Sequence, residues 1–232
     1  MMDPQLVTIA LSPAIAMVWF FYARQAYRPE RKGLVTALFL LGFVSGLVAL
    51  VLNHLVERYT ALWAGAPDAT HRILFWVLGI GLNEEFAKML MLLLVLYPRR
   101  DFDTPYQGLL GGATVALGFA AVENLFYLER YGTATLLFRS ALTVPAHAFF
   151  TAPLGVAMAF SKRAEGLLAK YAWLVGGLAF AVLGHGVYDI WLSLDSLWLN
   201  RIAYLHVVMM GLFVLWLMRL RLPPLPERSS LP

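Results

Sequence analysis

The sequence predicts an all-α membrane protein, a polytopic helical bundle of about seven transmembrane helices. Three observations lead there. The 232 residues are 60% hydrophobic and 14% charged, with a mean hydropathy of +0.70, far from the balance of a soluble globular domain. The apolar residues gather into runs near the ~20 residues that a helix needs to cross a bilayer. No run shows the period-two alternation or the hairpin signals of a membrane barrel.

The runs give seven spans: Leu6–Tyr22, Leu34–Leu52, Ile73–Leu96, Tyr106–Leu128, Leu136–Phe160, Tyr171–Leu192 and Ile202–Met218. The first is long enough to span and follows Met1-Met2-Asp3-Pro4, which lacks a positive leader, so it reads as a span and not a cleaved signal. The third and fifth are the longest. Gly79 and Gly81 precede a charged pair in the third, and Gly108, Gly111, Gly112 and Gly118 thread the fourth. Small residues of this kind allow close helix approach. Pro145 and Pro153 bracket His147 in the fifth and predict a kink there. Gly184 and Gly186 flank His185 in the sixth. Residues 1–222 form one integral membrane domain, and 223–232 are a Pro-rich tail.

Charge sets the orientation. Twelve basic residues fall in one set of linkers and the tail: Arg24, Arg28, Arg31, Lys32, Arg99, Arg100, Lys162, Arg163, Lys170, Arg219, Arg221 and Arg228. Five fall on the other side: Arg58, Arg72, Arg130, Arg139 and Arg201. The expected topology has the N-terminus outside and the C-terminus in the cytoplasm, with Pro67 and Asp195 in external linkers. The net charge of +4 sits in short juxtamembrane clusters, which does not point to a nucleic acid. The absence of cysteine excludes disulfides and thiolate chemistry.

The third span carries Glu84, Glu85 and Lys88 in the middle of its apolar run. Each ionised group there costs on the order of 2.5–3.5 kcal/mol on insertion scales, and adjacent glutamates repel. The pair therefore asks for a cation, a metal or a retained proton. Glu84 and Lys88, four residues apart, are expected to pair along one helix face, leaving Glu85 about 100° away. Glu123, His147, His185 and Asp189 lie in later spans. At ~1.5 Å per residue, Glu84 and Glu85 lie ~18 Å from the outer surface, His147 ~16 Å, His185 ~12 Å, Glu123 ~9 Å and Asp189 ~6 Å. All fall in the outer half of the bilayer. Asp189, four residues after His185, can orient that imidazole. His54, His71 and His206 lie near span ends and read as structural. Arg139 reads as snorkelling outward, and Trp19, Trp191, Trp198 and Trp216 as interface anchors.

The motifs Glu84-Glu85-x-x-Lys88, Phe119-x-x-x-Glu123-Asn124-x-x-Tyr127, His147 with Gly155 eight residues on, and His185-Gly186-x-x-Asp189 fall in order on four successive spans. Together they resemble the PrsW family of intramembrane proteases, and more distantly the CAAX prenyl endopeptidase and bacteriocin-processing group. The resemblance covers about Glu84 to Asp189. It implies an intramembrane endopeptidase of a bacterial plasma membrane, cutting a membrane-anchored protein such as an anti-sigma factor near the extracytoplasmic side. It places the water-activating role on Glu84 or Glu85, with His185 and Asp189 near the scissile carbonyl.

The wider group usually has His and Asn where this chain has Glu123 and Asp189. The two extra carboxylates favour a cation. The arrangement expected is therefore metal-assisted: Glu123, His147 and His185 hold a divalent ion, zinc by donor type, with Glu85 as an optional further ligand and the remaining Glu as base. A metal-free site with a Glu base stays open beside it. Two readings from other classes stand as alternatives: a proton-coupled transporter or channel, and a non-catalytic peptide-binding scaffold. Against transport, no duplicated half is evident, and the polar groups do not continue to the cytoplasmic side.

Overall fold

The computed structural model describes residues 3–25, 29–60, 68–194 and 196–220. Arg28, Pro67, Asp195, Arg221, Arg228 and the 223–232 tail, on which the topology reading draws, lie outside the described residues. Helices make seven passes. α1 (Pro4–Tyr22) and α2 (Lys32–Tyr59) are the first two. The third runs through α3 (Ala69–Ile73), a π-helical stretch Leu74–Gly81, and α4 (Leu82–Val95). α5 (Pro105–Tyr131) is the fourth. The fifth runs through α6 (Ala134–Phe138), a π-helical stretch Arg139–Thr143, and α7 (Val144–Arg163). α8 (Leu167–Ser193) and α9 (Leu197–Leu217) complete the bundle. Among the described residues there is no strand.

Six passes are long and apolar enough to cross a membrane. The other, the third, spans Ala69 to Val95 but carries Arg72, Glu84, Glu85 and Lys88. The charges are accommodated by sidedness. Leu82, Phe86, Leu90 and Leu94, four residues apart, are exposed on one face. Glu84, Glu85 and Lys88 are buried on the opposite side, so the helix turns its apolar stripe outward and its charges inward.

α5 and the fifth pass form the inside of the bundle. Their apolar windows are 83% and 78% buried, against 17–39% for the other four apolar passes. α5 suits the interior because its buried residues are small, Gly108, Gly111, Gly112, Ala113, Ala116 and Gly118 among them, and small residues let neighbouring helices approach closely. It meets α7 through a glycine pair: a Cβ on Gly108 would lie 2.1 Å from the Gly155 carbonyl oxygen, and one on Gly155 would lie 1.9 Å from the Gly108 oxygen. No other side chain fits this crossing. At the other end of the site, α8 packs against the first π stretch, where a Cβ on Gly186 would lie 2.7 Å from Val77 Cα. That approach brings His185 beside the glutamates.

Local signals explain the helix starts. Asp3 caps α1 by accepting from Gln5 N, with Pro4 in the first turn. Thr104 and Gln107 form a capping box around Pro105 at the start of α5. Tyr106 Oη then donates to the Phe21 carbonyl at 2.8 Å, tying α5 to α1.

Some boundaries differ from the sequence reading. α2 does not end at Leu52 but continues to Tyr59, so Asn53 and His54 are helical and stand beside the site. The expected irregularity near Pro145 takes the form of the π stretch just before it. Proline cannot donate to the preceding turn, and a wider turn relieves the clash. Trp19, Trp198 and Trp216 are exposed. Trp191 instead packs on His206, ring centroids 5.1 Å apart.

Candidate active site

Glu85 is the most completely partnered group in the interior. Its Oε1 accepts from Lys88 Nζ at 2.7 Å and from His185 Nδ1 at 2.9 Å. Its Oε2 accepts from Thr151 Oγ1 at 2.7 Å. Neither Glu85 nor Lys88 is exposed at all. A buried charge pair is tolerable when further hydrogen bonds engage its remaining lone pairs and protons, and His185 and Thr151 supply them to Glu85. The Lys88 partner differs from the one expected: Glu84 Oε2 is 3.9 Å away, Glu85 Oε1 2.7 Å. Lys88 Nζ lies 3.9 Å above the Phe119 ring and 3.2 Å from His147 Nδ1, which draws it to the Glu85 side.

A second carboxylate–histidine pair stands opposite. Glu123 Oε2 accepts from His147 Nε2 at 2.8 Å and from Arg139 Nη2 at 2.7 Å. Arg139 does not snorkel outward. It is buried, donates through Nε to Asn124 Oδ1 at 2.8 Å, and lies 3.9 Å over the Tyr127 ring. A carboxylate and an aromatic face inside the bundle hold it more strongly than the surface attracts it. The two histidines meet edge to face at 5.1 Å. Each is thus gripped from behind by a carboxylate that a cation holds in turn, Lys88–Glu85–His185 and Arg139–Glu123–His147.

Glu84 sits between them and is partnered differently. Its Oε1 accepts from Asn53 Nδ2 at 3.0 Å. Its Oε2 is buried and accepts no hydrogen bond among the described residues. That oxygen faces His185 Nε2 at 3.6 Å, and Asp189 Oδ2 lies 3.3 Å from the same nitrogen.

A cavity of about 760 Å³ runs from this cluster towards Glu57, Arg130 and Ser193 at one end of the bundle. Glu84, Glu123, His147, His185 and Asp189 line it, as do Tyr127, Tyr188 and several phenylalanines. Glu85 and Lys88 do not. The wall of the cavity therefore holds four carboxylates and three imidazoles, Glu57 and His54 of α2 included, while the tied ion pair lies behind them.

Glu84, His147 and His185 each offer one ligand atom, all within 4.8 Å of one another, and could hold a metal ion. The orphaned Glu84 Oε2 supports the fit, since a buried carboxylate oxygen without a donor is costly. His185 fits as well: Nδ1 is occupied by Glu85, which leaves Nε2 facing inward, the carboxylate–histidine pattern of bound metals. For His147 the ligand nitrogen must leave a present partner, Lys88 at Nδ1 or Glu123 at Nε2.

All six residues singled out in the sequence converge here: Glu84, Glu85, Glu123, His147, His185 and Asp189. The structure groups Glu84 with the two histidines and places Glu123 against Arg139. Asn53, Thr151 and Arg139 belong to the site without having been singled out for it. A signal existed for two of them. Arg139, Thr143, His147 and Thr151 recur at four-residue steps, a polar stripe along one pass. Asn53 carried none beyond being polar next to an apolar run.

The chain matches the PrsW family intramembrane metalloprotease over residues 30–217. It is similar to the Protease PrsW of Halalkalibacterium halodurans, 34% identical over 213 residues that cover 91% of this chain and 92% of that protein. The Protease PrsW of Geobacillus kaustophilus is 31% identical, covering 90% and 86%. That of Bacillus subtilis is 30% identical, covering 84% and 85%. No solved structure matches the chain. These matches are to proteases, which leaves the transporter and scaffold readings without support.

Proposed function

Since the chain belongs to the PrsW family of intramembrane metalloproteases, we propose that Glu84, His147 and His185 hold its divalent metal and that Asp189 receives the proton of the attacking water. The observation that carries this reading is Glu84 Oε2, buried without a donor and grouped with the two histidine ligand atoms on the cavity wall. Mixed carboxylate and imidazole donors suit zinc. When bound, such an ion supplies Lewis acidity, polarising a carbonyl and making water more acidic.

The protein's own groups do the rest. Glu85 and Thr151 fix His185 from behind, so that Nε2 points into the cavity. Glu123, engaged by Arg139 and His147, orients the second imidazole. Asp189 lines the same cavity, makes no ion pair with Lys or Arg among the described residues, and lies near His185 Nε2. It is the carboxylate best placed to accept a proton and return it to the leaving amine. The cavity admits water from one end of the bundle, while the packed α5–α7 interior excludes it from the other. A helical substrate must unwind to offer a carbonyl, and that is easiest near the wet end.

The orientation with the N-terminus outside makes that end extracytoplasmic. The substrate is then a membrane-anchored regulator, such as an anti-sigma factor, cut in or beside the outer part of its span. The test is cleavage by purified enzyme in liposomes, with the metal content measured alongside. Glu84→Gln should abolish cleavage and lower bound zinc to a small fraction of one ion per chain. A Glu84→Gln enzyme that cuts normally would remove Glu84 from the site. The new N-terminus of the product locates the cut, and a cytoplasmic cut would reverse the orientation.

A further inference from the structure

α2 contributes one polar contact to the site, and it comes from outside every motif. Asn53 Nδ2 donates to Glu84 Oε1 at 3.0 Å, and Asn53 Oδ1 accepts from Asn83 Nδ2 at 3.4 Å. The surrounding part of α2 is loosely held: from Leu50 to Tyr59 no residue is buried. Val56 lies against Gly79, where an added Cβ would be 3.1 Å from Val56 Cγ1. An Asn at the edge of an apolar pass has no reason to point inward unless it is engaged there.

The consequence is geometric. Glu84 has two carboxylate oxygens and three side-chain torsions. Held at Oε1 by Asn53, it presents Oε2 to His185 Nε2 at 3.6 Å. Without that bond the carboxylate is free to rotate, and Lys88 Nζ, 3.9 Å away, competes for it. An amide suits the position because it donates without adding charge. A second carboxylate there would repel Glu84, and an apolar residue would leave both oxygens without a donor.

We infer that Asn53 is a positioning residue, which fixes the Glu84 carboxylate so that one defined oxygen faces the histidine pair. This rests on the reading that Glu84 is a metal-site group. Loss of a hydrogen bond behind a metal ligand typically costs about 10- to 100-fold in metal affinity or activity.

The test compares Asn53→Ala, Asn53→Asp and Asn53→Gln with Val51→Ala, a change on the exposed face of the same helix. Zinc affinity is measured by titration of metal-stripped protein in detergent, kcat and KM with a membrane-anchored substrate, and folding by thermal unfolding. Asn53→Ala and Asn53→Asp should lose about tenfold or more in zinc affinity and in kcat, with KM within twofold. Asn53→Gln, which keeps the donor on a longer arm, should recover part of both. In a Glu84→Gln background, Asn53→Ala should have no further effect on zinc affinity. Normal affinity and kcat in Asn53→Ala would overturn the inference, as would equal losses in Val51→Ala, which would mean that α2 acts only through packing. If Asn53→Ala does not fold, the Asp and Gln variants decide by the same criteria. Full zinc binding and activity in Glu84→Gln alone would instead remove the reading on which this one rests.

Discussion

Lys88 Nζ lies 2.7 Å from Glu85 Oε1 with neither residue exposed, so the two adjacent glutamates of α4 have different duties. Glu85 neutralises a buried cation and accepts from His185 and Thr151 as well. Glu84 keeps an open oxygen on the cavity wall. Proximity in sequence conceals this division. The first prediction follows from it. Glu84→Gln should fold like the parent and lose activity. Glu85→Gln should also lose activity, but with a lowered unfolding temperature, because it breaks the 2.7 Å buried pair and leaves Lys88 only the Glu84 carboxylate at 3.9 Å, a loss of up to about 3–5 kcal/mol. Thermal unfolding in detergent separates the two, and equal stability of both variants would contradict the division.

The second prediction uses the same pair in reverse. Lys88→Met alone strands the Glu85 carboxylate and should destabilise by a similar amount. Removing both charges with Glu85→Gln and Lys88→Met should restore much of the stability, since a buried ion pair is often no more stabilising than apolar residues of similar volume. The double variant should remain inactive, because His185 loses its charged acceptor at Nδ1. If the two losses simply add, the charges are not coupled as the 2.7 Å contact requires.

The class of fold was legible because it rests on sums. Apolar runs of spanning length, and charges confined to a few positions, do not depend on any one contact. The site was legible as a set for a related reason: charges and imidazoles in mid-bilayer are costly, so each of them is a signal. The pairing within the set was not legible. Lys88 can reach three or four residues back with equal ease, and only Phe119 and His147, brought in by α5 and α7, decide for Glu85. Arg139 misled for the same reason, as a basic residue near a span end snorkels unless something inside holds it. Pro145 signalled an irregularity at the second π stretch but not its form, and the first had no signal; both end a few residues before Glu84 and His147, and such widened turns often occur at functional positions.

The third prediction concerns the crossing that supports the site. Gly108 and Gly155 approach so closely that a Cβ on either would overlap the other's backbone carbonyl. Neither carbonyl is the end of a flexible side chain, so the helices must move apart. Gly108→Ala and Gly155→Ala should each lower the unfolding temperature and reduce activity, because α5 and α7 carry Glu123 and His147. Gly176→Ala is the control: it lies in a helix with nothing within 4 Å of the new Cβ, and it should be neutral or slightly stabilising. Parent-like melting of the Gly155 variant would mean that the crossing is slacker than described.

The fourth prediction turns on Arg139. Its guanidinium spans two side chains of α5, Nε to Asn124 and Nη2 to Glu123, while stacking on Tyr127. Lysine supplies one charge but neither the fork nor the planar face, so the exchange is not conservative here. Arg139→Ala leaves Glu123 with His147 as its remaining partner and should destabilise by about 3–5 kcal/mol. Arg139→Lys should recover part of that stability through the charge. Its activity should recover less, because Glu123 is then held at one point and His147 is oriented less firmly. The diagnostic is therefore the mismatch between recovered melting temperature and recovered kcat. Glu123→Gln combined with Arg139→Ala tests the link from the other side: with the carboxylate gone, loss of the guanidinium should cost less than it does alone. An Arg139→Ala enzyme with parent stability and rate would show that Arg139 does nothing for Glu123, and the chain of contacts from Arg139 to His147 would then carry no weight in the site.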